Sequence, residues 1–129
     1  MSTSEAITNG VRVDVEARYS EEHSAPERSY WFFLYTITIS NESDQVVQLL
    51  SRHWVITDAT GKREEVRGPG VVGEQPVLDP GEAFEYTSGC PLPTPYGAME
   101  GRYEMQLGDE STFHAQIARF ELREPGAIH

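Results

Sequence analysis

The chain has 129 residues and a mass of 14.5 kDa, one domain's worth of sequence rather than two. Hydrophobic residues at 38% and charged residues at 24% give the composition of a folded domain and exclude a disordered or collagen-like chain. With 10 Lys and Arg against 21 Asp and Glu, the net charge of -11 repels phosphate backbones and anionic headgroups, so no nucleic acid is expected as a partner.

A single domain over residues 1–129 is expected, with residues 1–9 as a disordered N-terminal tail. Met1 to Glu5 has neither a basic nor an apolar leader segment, which makes the cytoplasm the expected location. The longest apolar run, Tyr30 to Ile39, is about half of what a membrane-spanning helix requires, so no membrane insertion is expected. One cysteine, Cys90, excludes an internal disulfide and any zinc site with two thiolate ligands.

Val11, Val13, Val15 and Ala17 alternate with charged residues, the period of a strand with one wet face. A polar loop over 21–29 precedes Tyr30–Ile39, β-branched and aromatic on both faces as in a central strand. Turn residues Asn41 to Asp44 lead into Val46–Thr57, where the parity is ambiguous: Leu50, Trp54 and Ile56 share one register, Leu49, His53 and Val55 the other. A bulge or two separate strands would explain it. Asp58 to Gly61 reads as a turn returning through Lys62–Arg67. Residues 68–97 hold six Gly and six Pro, which excludes long helices there. Within that stretch Asp79 to Glu82 is a turn feeding a strand over Ala83–Ser88. Glu100–Leu107 alternates cleanly, and a turn at Gly108–Glu110 leads to a last strand, Thr112–Leu122, whose parity changes near Ile117 and Ala118. No stretch of 12 or more residues keeps a helical apolar period, so the count of short strands predicts an all-β antiparallel sandwich.

Gly68-Pro69-Gly70-Val71-Val72-Gly73 matches G-x-G-x-x-G by letters, but Pro76 and Pro80-Gly81 leave no helix to follow it, and no Gly-Lys-Ser/Thr ending is present. Two readings stand: glycines supplying positive-φ turns, or a small nest of amides that holds an anion with the help of Arg67. His23, His53, His114 and His129 show no local ligand spacing, so any metal site must be assembled by the fold. Cys90 and Ser88 lack the context of a nucleophile, and no catalytic residues are assigned. Trp31, Phe33, Trp54, Phe84, Tyr86 and Tyr103 read as core.

The segments Arg52-His53-Trp54-Val55-Ile56-Thr57-Asp58, Gly68 to Pro76, Pro80-Gly81-Glu82, Tyr86-Thr87-Ser88-Gly89, Thr94-Pro95 with Gly97 and Met99, and Gly101-x-Tyr103-x-Met105 together resemble the bacterial ApaG family, from about Val11 to His129. One departure is Ala118, where the family carries a proline. The resemblance implies an immunoglobulin-like or fibronectin type III β-sandwich of about seven antiparallel strands. It also implies an association with cobalt and magnesium efflux, which for a chain with no expected span means an indirect role. Related domains in eukaryotic F-box and polymerase-interacting proteins imply a protein-binding module.

The leading expectation is therefore a non-enzymatic, cytoplasmic binding domain without a cofactor, acting on an unidentified protein partner and linked indirectly to Co2+/Mg2+ homeostasis. Its expected contact surface is Arg67, Gly68, Gly70, Gly73, Glu74 and Gln75, with Thr94, Pro95 and Tyr96 as neighbours if the two loops converge. A second reading has the loop over 68–73 hold phosphate or pyrophosphate. In a third, His53 or His114 binds Co2+ or Mg2+ weakly. Pairing of two copies through a sheet edge is a further possibility.

Overall fold

The computed structural model of the chain describes residues 1–126, so His129 lies outside the described residues. Nine strands run through them: β1 (Ser2–Thr8), β2 (Val11–Tyr19), β3 (Trp31–Asn41), β4 (Val47–Asp58), β5 (Arg63–Pro69), β6 (Val77–Leu78), β7 (Ala83–Leu92), β8 (Tyr96–Leu107) and β9 (Thr112–Arg123). A 3-10 turn at Pro26–Arg28 is the only helical piece among the described residues, and no helix there is long and apolar enough to cross a membrane. One antiparallel sheet has the order β1-β2-β3-β7 and the other β5-β4-β8-β9, with β6 paired to β4 at Val47 and Gln48. Without β1 and β6, seven strands remain in a three-plus-four arrangement, the expected fibronectin type III-like sandwich.

Alternation works as read in β2 and β8, and β3, central as expected, also alternates, with one face buried and the other half-buried: Val11, Val13, Val15, Phe33, Ile37, Ile39, Tyr103 and Met105 are buried between the sheets. Trp54 sits at the centre of the interior, its ring 5.5 Å from Tyr35, 6.0 Å from Phe120 and 6.5 Å from Tyr103. The ambiguous parity of β4 is a bulge. Its register to β8 shifts between Leu49 and Ser51, so Val47 and Leu49 point inward before it and Trp54 after it. A second bulge lies where Met99 pairs with Phe120 but Gly101 pairs with Ile117. This leaves Ala118 and Arg119 outside the regular ladder, a place where the family's proline removes no ladder hydrogen bond.

The expected disordered tail is corrected by β1. Ser2–Thr8 pairs with β2 along its whole length, from Ser2 opposite Ala17 to Thr8 opposite Val11. The cause is Asn9-Gly10, a two-residue hairpin turn with both residues left-handed (φ 48° and 80°). β1 also reaches the other sheet: Ser4 Oγ donates to the Ala118 carbonyl at 2.8 Å, the Gln116 amide donates to Thr8 Oγ1 at 3.1 Å, and Ser2 Oγ donates to the Glu121 carbonyl. One flank of the sandwich is thereby sealed.

Asn41, 1% exposed at the end of β3, joins two turns at the same end of the sandwich. Its side-chain amide donates to the Leu78 carbonyl at 2.9 Å and the Gln45 carbonyl at 2.7 Å, and its Oδ1 accepts from the Ser43 amide at 3.0 Å. Asn41→Ala is expected to cost about 2–4 kcal/mol, because buried carbonyls lose their donors. Asn41→Asp should cost at least as much at pH 7 and regain part of the loss at pH 5, since protonation restores one donor. Urea denaturation at the two pH values checks both.

Candidate functional site

The flank opposite β1 and β9 is bounded by β5 and β7, the outer strands of the two sheets, and there the sandwich stays open. A cleft of about 400 Å³ runs between them, lined by Tyr35, Arg52, Trp54, Ile56, Val66, Ser88, Cys90, Leu92 and Met99, with Asp58, Lys62 and Glu64 also on its walls. Its floor is therefore the edge of the hydrophobic core, reached from solvent past two sheet edges. The edges differ in chemistry. β5 carries Arg63, Glu64, Glu65 and Arg67, whereas the ten residues of β7 include one charge, Glu85.

Arg52 stands where the cleft meets the glycine-rich loop. Beyond the bulge the even-numbered residues of β4 point inward, so Arg52 shares the inner face with Trp54. Its Nη1 donates to the carbonyls of Pro69 and Gly70, both at 2.9 Å. Gly68 lies under the guanidinium, and a Cβ there would come within 2.9 Å of Nη2. Tyr35 and Ser88 are hydrogen-bonded to each other on the facing sheet; burial raises the Tyr35 hydroxyl above its ordinary pKa, and the Ser88 bond opposes that. Deeper in, Tyr86 and Tyr103 bond through their hydroxyls, and burial again pushes both phenols up. Burial also raises the Cys90 thiol to about 12, so it is protonated at neutral pH.

The glycine-rich loop is a tight hairpin. Val71 and Glu74 exchange backbone hydrogen bonds at 2.8 and 2.9 Å around Val72 and Gly73, both left-handed (φ 42° and 82°), which is a type I′ turn. The Gly70 amide donates to the Leu50 carbonyl at 2.9 Å, so the amides of Gly70, Val71 and Glu74 are all used within the protein. Gln75 Nε2 donates to Leu50 at 2.9 Å and pins the loop to β4. Of the expected contact residues in this loop, Arg67, Gly73, Glu74 and Gln75 are exposed, Gly68 is half-buried and Gly70 is buried, and Arg67 pairs with Glu65 at 3.4 Å.

The two loops do not converge. The glycine-rich loop bonds to β4 at Leu50, whereas Thr94 Oγ1 accepts from the Ala59 amide at 3.1 Å and donates to the Tyr96 carbonyl at 2.7 Å. These anchor points lie on opposite sides of Ser51–Asp58, about 25 Å apart along an extended strand. Thr94, Pro95 and Tyr96 thus belong to the far end, where the Pro95 carbonyl accepts from Glu124 at 2.9 Å. β7 runs the length of the sandwich between them.

His53 and His114 do come to one place, a shallow depression on the outer face of the second sheet that also holds Arg67, Arg102 and Glu104. His53 Nε2 is 2.7 Å from Glu65 Oε1, and that hydrogen bond is the largest influence holding the Glu65 carboxyl below its usual range. Among the described residues no three His, Cys, Asp or Glu side chains are grouped so as to hold a metal ion. Ser88 and Cys90 line the cleft, on the other side of the sheet from both histidines.

No motif announced the cleft. Its residues come from β3, β4, β5, β7 and β8, and the nearest sequence signal was the parity conflict in β4 that places Arg52 inside.

A sequence model of the ApaG domain matches residues 21–107. Protein ApaG of Methylobacterium sp. (strain 4-46) is 55% identical over 120 residues, covering 93% of this chain and 92% of that protein. Protein ApaG of Brucella anthropi is 54% identical over the same length. A crystal structure of an ApaA protein from Bordetella pertussis superposes with a TM-score of 0.88 at 48% identity, covering 91% of this chain and 95% of that one. A protein from Archaeoglobus fulgidus, 9% identical with a TM-score of 0.53, shares the fold alone. With its domain, its full-length relatives and its fold in agreement, the chain belongs to the ApaG family.

Proposed function

We propose that this domain is a non-enzymatic, cytoplasmic protein-binding module whose contact surface is the open flank between β5 and β7. The observation that carries the reading is the asymmetry of the sandwich: one flank is closed by side-chain bonds from β1 to β9, while the other leaves an apolar cleft between two sheet edges. Sheet edges offer backbone donors and acceptors to an extended partner segment, and an adjacent apolar cleft receives its side chains. Arg67, Gly73 and Glu74, with the exposed Val72 at the tip of the turn, border that flank and keep a place in the contact surface. Gly68 and Gly70 act one step back, by shaping the loop, while Gln75 both pins the loop to β4 and stays open to solvent. A link to Co2+ and Mg2+ homeostasis then runs through the partner.

A photo-crosslinking residue at Val66, on the cleft wall, is expected to give discrete adducts in cell extract, while the same residue at Arg18, exposed on β2, gives none of them. Val66→Lys should abolish those adducts from a crosslinker at Leu92, because it puts a charge in the apolar wall. The same adducts from both positions, or none from Val66, would overturn the reading.

A further inference from the structure

Arg52 has more donors than the fold uses. It lies half-buried on the inner face of β4, and its Nη1 is engaged by Pro69 and Gly70. Nε and Nη2 donate to no protein acceptor among the described residues. No carboxylate pairs with it there either, in a chain with 21 acidic residues against 10 Lys and Arg. What sets Arg52 apart from the other arginines without an ion pair is its place: it lines the cleft between the sheets, held there by two carbonyls. Tyr35 and Ser88 of the facing sheet line the cleft together with it. A planar fork of free N–H donors next to apolar surface is a receptor for a carboxylate.

The spacing narrows the ligand. Val66 pairs with Trp54, two residues on from Arg52, so the half-buried apolar wall begins about 7 Å along the strand from the arginine. A cation and an apolar wall so close together suit a group whose carboxylate and apolar side chain sit on one carbon atom. In a polypeptide that is the C-terminal residue, since an internal Asp or Glu carries its charge on the side chain and has no apolar group on the same Cα. The net charge of -11 works against acidic segments in general, but a single carboxylate at the end of a neutral or basic segment avoids most of that repulsion. The cleft volume of about 400 Å³ lies near the lower end of ligand sites, enough for one large side chain and its terminal carboxylate. Of the two edges, β7 is the one not guarded by charges.

We propose that the cleft binds the free C-terminus of an extended partner segment ending in an apolar residue, with the carboxylate on Arg52, the last side chain against the half-buried Ile56 and Val66, and the backbone added along β7. This rests on the protein-binding reading above and names what that surface selects.

The test uses the full chain and random hexapeptides presented either as free acids or as C-terminal amides, with affinities measured by fluorescence anisotropy. Free acids ending in Leu, Ile, Val or Phe should be enriched, and amidation should weaken the selected peptides about tenfold or more. Arg52→Gln should bring the acids down to the level of the amides while leaving the amides unchanged, and Arg52→Lys should fall between. The acid-to-amide ratio on the unmodified protein decides the matter even if Arg52→Gln fails to fold. Equal binding of acid and amide, a ratio unchanged in Arg52→Gln, or no enrichment overturns the proposal. Peptides that bind without regard to their terminus and are lost in Val66→Lys would overturn it while leaving the protein-binding surface in place.

Discussion

One extra residue in β4 decides the chemistry of both faces of the second sheet. A strand alternates with period two, so each inserted residue exchanges inside for outside from that point on. Before the bulge at Leu50 the odd positions Val47 and Leu49 fill the core; after it the even positions do, led by Trp54. Without the bulge His53 would point inward and Arg52 and Trp54 outward. The imidazole would then lie buried beside Tyr103, and the largest aromatic of the interior would be lost. With it, His53 meets Glu65 in solvent, Trp54 packs against Tyr35, Phe120 and Tyr103, and the guanidinium of Arg52 comes to rest at the rim of the core.

The regular part of the fold was legible because alternation is a local property. β2, β3, β8 and β9 could be read from their own residues, and both parity conflicts marked true bulges. β1 was legible in principle: Asn9-Gly10 is a strong hairpin signal, and Ser2–Thr8 alternates small polar with larger residues. Its signal is weak because its inward face is built of Ser2, Ser4, Ala6 and Thr8 while Ile7 faces solvent, and because its stabilisation comes from hydroxyls bonding to β9 more than 100 residues away. The cleft and the divergence of the two loops were not legible, since both depend on which strands end up at the sheet edges. Nothing local to Thr94 says that it will cap the turn after Asp58 instead of standing beside Gly70.

The motif that stood out most by its letters has a use different from the one its letters evoke. In a dinucleotide site the glycines let a backbone approach a pyrophosphate; here the first of them lets a backbone lie against a guanidinium, because Gly68 has no Cβ to collide with Arg52. The carbonyls of Pro69 and Gly70 then take one end of that cation, and the amides of Gly70, Val71 and Glu74 are closed by Leu50 and by the Val71–Glu74 turn. The loop's carbonyls here accept from a cation. Two segments 16 residues apart in the chain, Arg52 to Asp58 and Gly68 to Pro76, thus form one device in which the second holds the first residue of the other in place.

That device accounts for an arginine being kept where burial opposes it. A charge at the edge of a hydrophobic core is costly unless hydrogen bonds replace its water, and two backbone carbonyls replace part of it while bringing no negative charge. A carboxylate in their place would satisfy the guanidinium fully and neutralise it. Carbonyls fix its position and leave its charge and the rest of its donors uncompensated, so the cation stays oriented and ready at the mouth of the cleft, with its rotamer freedom already lost before any partner arrives. Fixing by neutral acceptors instead of by a counter-ion holds a cation in place without cancelling its charge, and in this sandwich the arginine beside the core is held in that way.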